Sequence, residues 1–103
     1  METLWVSAGI ELTPGTDAAI AEQALQLLME QTSREPGCIL FEIRQQKEDP
    51  SKFTLWECWV NQAALTAHFE AQHTLDYLAK NYTQVAYIEK LGKIGAHRTA
   101  ANS

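Results

Sequence analysis

Basic residues are scarce in this chain. Lys and Arg total 8 against 13 Asp and Glu, which gives a formal charge of −5 and a pI near 5.0. Phosphate binding needs clustered cations, so this balance argues against a nucleic-acid partner. Long apolar runs are missing too. Nothing approaches the ~20 residues that span a bilayer, and the start lacks the charged segment and apolar stretch of a signal peptide. A soluble cytoplasmic protein without membrane association is expected. Cysteine is limited to Cys38 and Cys58, too few for a disulfide framework and spaced unlike a metal motif. Buried strand thiols are their expected state. What the chain does have is apolar content: 46% of 103 residues, enough to bury one core and too short for two domains.

Periodicity divides the chain cleanly. Leu4, Val6, Ala8, Ile10 and Leu12 alternate with Trp5, Ser7, Gly9 and Glu11, the pattern of a half-buried strand. Thr13-Pro14-Gly15 ends it. Thr16 or Asp17 can cap a helix to about Ser33, whose apolar stripe combines Ile20, Ala24, Leu27 and Leu28 with Ala21, Leu25 and Met29. Glu35-Pro36-Gly37 then breaks the helix. Two strand signals follow, Cys38 to Gln46 and Phe53 to Val60, joined by a polar loop of hairpin size. Asn61 can cap a helix through about Gln72, and Thr74 can start a short one reaching Lys80 or Asn81. A last strand runs from about Thr83 to Lys93. Residues 1–94 read as one domain, and residues 95–103 as a loose tail of small and polar residues.

The order β-α-β-β-α-β predicts an α+β, ferredoxin-like fold, with a four-stranded antiparallel sheet carrying its helices on one face. A hairpin symmetric about Asp49 and Pro50 would place Ile43 opposite Trp56, Phe41 opposite Cys58 and Ile39 opposite Val60, all toward the helices. The other face would then carry Leu40 with Trp59, Glu42 with Glu57 and Arg44 with Leu55, beside Ser7, Glu11, Tyr87 and Glu89. That mixture suits neither open water nor a dry core. A second copy of the chain is expected to cover it, giving a homodimer with a polar-lined pocket between sheet and helices.

The segment Glu35-Pro36-Gly37-Cys38-Ile39-Leu40-Phe41, the strand Phe53 to Trp59 with Glu57, and then Ala64, His68 and His73 resemble the antibiotic biosynthesis monooxygenase domain. The resemblance runs from about Leu4 to Leu91. It implies a dimeric α+β barrel of ferredoxin-like halves, and a family that includes cofactor-independent oxygenases of quinols and anthrones, heme-degrading enzymes and an isomerase of a phosphorylated quorum-sensing signal. Its heme-degrading members depend on an asparagine in the first strand; Ser7-Ala8-Gly9-Ile10 offers none, which disfavours heme breakdown. For the oxygenases it implies no metal and no flavin, because the deprotonated phenolic substrate reacts with dioxygen itself.

Such chemistry asks for a dry pocket, a base, and donors for developing negative charge. His68 and His73 are the candidate bases. His68 either aims its ring at the pocket mouth or packs at the helix surface, and His73 either lines the cleft or hydrogen-bonds the helix break. Their five-residue spacing keeps them off one helical face, so no metal site is expected. Glu57 is a third catalytic candidate, since a carboxylate on a covered face titrates abnormally; a structural contact with Arg44 is the bland alternative. Trp59 and Tyr87 suit a flat aromatic substrate, and Leu40, Arg44, Leu55 and Ser7 complete the expected substrate-binding set. Three functions follow: a monooxygenase acting on a quinol or related polycyclic phenol and dioxygen, an isomerase of a small phosphorylated ketone, or a non-catalytic dimeric ligand-binding module.

Overall fold

In the computed structural model, residues 3–95 are described. The apolar alternation forms β1 (Leu4–Leu12), and Asp17 caps α1 (Ala18–Thr32), its Oδ1 accepting from the backbone N–H of Ala19 at 2.8 Å. β2 (Cys38–Gln45) and β3 (Lys52–Trp59) make the hairpin. Asn61 caps α2 (Gln62–Glu70) through Ala64, α3 (Gln72–Lys80) follows, and β4 (Thr83–Leu91) closes the chain. The sheet is antiparallel throughout, in the order β2-β3-β1-β4, the ferredoxin-like arrangement. Among the described residues no helix is long and apolar enough to cross a membrane. Beyond Gly95 the expected tail lies outside the described residues.

The hairpin register differs from expectation by one residue, and the difference moves the site. Phe41 lies opposite Glu57, Ile43 opposite Leu55, Glu42 opposite Trp56 and Leu40 opposite Cys58. Backbone bonds from Lys52 to Asp49 at 3.0 Å and from Gln46 to Lys52 at 2.9 Å close the loop, so the pairing is centred on Asp49 rather than between Asp49 and Pro50. Because strand side chains alternate, this slip turns the whole of β3 over. Phe53, Leu55, Glu57 and Trp59 share the face of Val6, Ala8 and Ile10, their partners across β1 including Val6 for Glu57 and Ile10 for Phe53. Trp56 and Cys58 go to the opposite face. The observed register wins on burial: Phe53 and Trp59 enter the core, at the cost of taking one carboxylate with them.

A second irregularity alters β4. Its pairing to β1 shifts between Gly9 and Ile10, so Val85, Ile88 and Lys90 lie against Ile10, Ala8 and Val6 on the helix side, while Tyr87 and Glu89 face away. Gly9 leaves room there for a side chain from β4. A Cβ would run into the Tyr87 ring, which lies across the strand.

Two buried clusters hold the layers together. Val6, Ala8, Phe41, Trp59 and Leu65 form one, and Ile10, Leu25, Leu28, Phe53 and Tyr77 form the other.

Candidate active site

Between the sheet and the helices lies a cavity of about 350 Å³. Val6, Ala8 and Ile10 line it from β1, Leu55 and Glu57 from β3, and Leu65, His68, Thr74 and Tyr77 from α2 and α3. Its mouth lies beside β4, where the lining residues Phe69, Leu78, Val85 and Ile88 are all exposed. The wall is therefore mostly hydrocarbon, with a few polar groups set into it, the usual character of a small-molecule site. Lys90 supplies a cation to the lining, and its Nζ donates to Gln62 Oε1 at 3.1 Å.

Glu57 is 5% exposed. Its carboxylate accepts a hydrogen bond from Trp59 Nε1, at 2.9 Å. Burial pushes the carboxyl above the usual carboxylate range; the Trp59 N–H opposes that and the charge of Glu35 adds to it. The expected partner, Arg44, is elsewhere. It pairs with Glu42 at 3.2 Å on the far side of the sheet, largely in solvent.

His68 is 4% exposed and is clamped between aromatic rings, with centroids 4.9 Å from Trp59 and 5.5 Å from Phe41. Its Nδ1 lies 2.7 Å from Glu35 Oε2, and His73 Nε2 lies 2.7 Å from the same oxygen. Thr74 Oγ1 stands 3.3 Å from His68 Nδ1. The sequence reading did not assign Glu35 a role. It sits in the loop that ends α1, and Gly37 lets that loop approach α2 so closely that an added Cβ would collide with Ala64. Val60 N–H donates to Gly37 O at 3.0 Å and fixes the approach.

The five-residue spacing does not keep the two histidines apart. The two histidines lie on different helices, because Ala71 is extended (φ −68, ψ 144), ends α2 and begins α3. Thr74 is thus not a cap but a buried residue inside α3. The break brings both rings to one carboxylate, so Glu35, His68 and His73 each present a ligand-type atom within 4.8 Å of the others. Atoms sharing an ion at bonds of 2.0–2.2 Å stand about 3 Å or more apart. The 2.7 Å contacts are hydrogen bonds.

Of the other expected site residues, Leu55 lines the cavity, and Trp59, fully buried, backs His68 rather than meeting a ligand. Leu40, Arg44, Ser7 and Tyr87 belong to the opposite face, where Ser7 Oγ and Tyr87 Oη are 3.4 Å apart. Tyr77 is the tyrosine that reaches the cavity, with its hydroxyl 2.6 Å from Thr83 Oγ1. Cys38 is half-buried, and burial with the nearby charges of Glu35 and Glu57 pushes its thiol up to about 11. It is protonated and unreactive at neutral pH.

The profile of the antibiotic biosynthesis monooxygenase family matches residues 3–80. The chain belongs to this family. YjcS of Bacillus subtilis is 29% identical over 86 residues, which cover 84% of this chain and 82% of that protein. The solved structure of YjcS superposes with a TM-score of 0.81 at 28% identity, covering 86% of this chain and 96% of the other. PA3566 from Pseudomonas aeruginosa gives 0.82 at 27% identity, covering 92% and 97%. A structure named antibiotic biosynthesis monooxygenase shares the fold, with a TM-score of 0.75 at 22% identity over 90% of this chain and 98% of its own. The family match spans Glu35, Glu57, His68 and His73 but stops short of β4, so Lys90 and the β4 side of the cavity mouth lie outside it.

Proposed function

We propose that this member of the antibiotic biosynthesis monooxygenase family is a cofactor-independent monooxygenase that oxidises a quinol or related polycyclic phenol with dioxygen. One observation carries the reading: a hydrocarbon-walled cavity holds a buried histidine and has a lysine at its lining. A flat aromatic substrate would fill the apolar part. His68 would take the proton of its hydroxyl, and the Lys90 ammonium would favour the resulting oxyanion. The anion is then the reductant. For a methylene between two aromatic rings, dioxygen supplies the carbonyl oxygen, and its second atom leaves as water with the two hydrogens. Glu57 acts as a neutral or charged neighbour according to pH, and the apolar wall excludes water. The chain works as a homodimer, with the face of Trp5, Trp56 and Tyr87 covered by a second copy.

Oxygen uptake with a panel of hydroquinones and anthrones tests this. Turnover is expected with at least one, and His68→Ala should lower kcat on the order of 10²-fold or more. Consumption unaffected by His68→Ala, or none with any substrate, would refute the reading. Lys90 also favours a second reading, an isomerase of a small phosphorylated ketone, which anaerobic turnover of such a ketone would identify.

A further inference from the structure

We infer that Glu35 is the positioning residue of this site, a shared acceptor that fixes the His68 ring with its proton on Nδ1 and leaves Nε2 as the bare nitrogen for the cavity. The inference rests on the proposed role of His68 as base, and it adds a residue from outside the cavity lining.

A carboxylate only accepts hydrogen bonds, so each 2.7 Å contact to Glu35 Oε2 requires a proton on the histidine nitrogen. For His68 that nitrogen is Nδ1. Its Nε2 makes no hydrogen bond among the described residues, and it is not a sealed, unsatisfied atom, since Thr32 Oγ1 is the buried polar side-chain atom so left. With Nδ1 turned to Glu35, which does not line the cavity, Nε2 remains for the cavity that His68 does line. The orienting contact of a base by a carboxylate behind it fixes both tautomer and ring angle.

His73 anchors Glu35 from the other side. Its side chain is 19% exposed, against 12% for Glu35 and 6% for His68, so the three form a path from surface to cavity. Both rings draw on one oxygen, which holds the carboxylate between two helices while its loop is pinned by Val60 N–H. The groups around His68 are Glu35, His73, Thr74, Phe41, Trp59 and Phe69, and Glu57 and Lys90 line the same cavity. Of these, Glu35 alone accepts from Nδ1 with charge, and such bonds are the strong ones.

Long-range ¹H–¹⁵N spectra of imidazole-labelled protein at neutral pH read the tautomer without any substrate. Wild type should show His68 protonated on Nδ1 only. In Glu35→Ala that preference should be lost, with Nε2–H becoming the main form, while His73→Phe should keep it. A His68 that is Nε2–H in wild type, or whose tautomer survives Glu35→Ala in a folded protein, overturns the inference. Should Glu35→Ala fail to fold, the wild-type spectrum and Glu35→Asp, expected to retain the Nδ1–H form, still decide it.

With an oxidised substrate in hand, Glu35→Ala should cut kcat on the order of 10²-fold and change KM less than twofold, with Glu35→Asp recovering most of the loss. If no quinol is oxidised, the proposed function fails, and the tautomer result stands by itself.

Discussion

At the residue scale the carboxyl of Glu57 sets the clearest test. Its folded-state pKa lies above the 4.5 of an unperturbed carboxyl, because burial disfavours its charge. The folded state therefore binds the proton more tightly than the unfolded one, and stability falls as pH rises from about 4.5 through the folded value. Above that window the burial penalty is complete; below it the penalty is absent. Glu57→Gln keeps an oxygen for the Trp59 N–H and removes the charge, so it should raise the urea midpoint at pH 7 above that of wild type, with the gap closing as the pH falls toward 4. Urea midpoints across pH check this, and a variant less stable than wild type at pH 7 would contradict it. Glu57 and His68, which line the cavity, stood out in the sequence by their types and their neighbours. Glu35 was not, because in the sequence it reads as part of a helix stop, and its partners lie 33 and 38 positions away.

At the scale of elements, the strands and helices were legible because each has a strong period and a chemical stop. The face of β3 was not. Both of its faces carry large side chains, so alternation alone could not say whether Trp56 or Trp59 turns inward, and a single residue in the loop decided it. The helix break was visible as two helices, but its position was misplaced, since alanine at 71 carries no turn signal. The contact of Gly37 with α2 is the element-scale weak point. Gly37→Ala should push α2 away from the loop, costing about 1–3 kcal/mol and loosening the Glu35 clamp. A denaturant midpoint equal to wild type would show that the loop can give way without cost.

For the whole molecule, the open sheet face is the surface that bears on assembly. Trp5 and Trp56 stack there with centroids 5.1 Å apart, and Trp56, Tyr87 and Leu91 are exposed. Such a patch on a four-stranded sheet fits the proposed homodimer, although the mixed character first assigned to this face came partly from residues that turn the other way. Sedimentation at micromolar concentration should give twice the 11.6 kDa chain mass, and Trp56→Glu should shift it to the monomer. A stable, well-folded wild-type monomer would remove the dimer from the proposal.

The contact between Trp59 and His68 has an optical consequence. The indole is wholly buried with the imidazole 4.9 Å from it, and a protonated imidazole quenches indole emission. With Trp5 and Trp56 replaced by phenylalanine, the remaining fluorescence would report on the His68 ring in the folded variant, before any substrate is known.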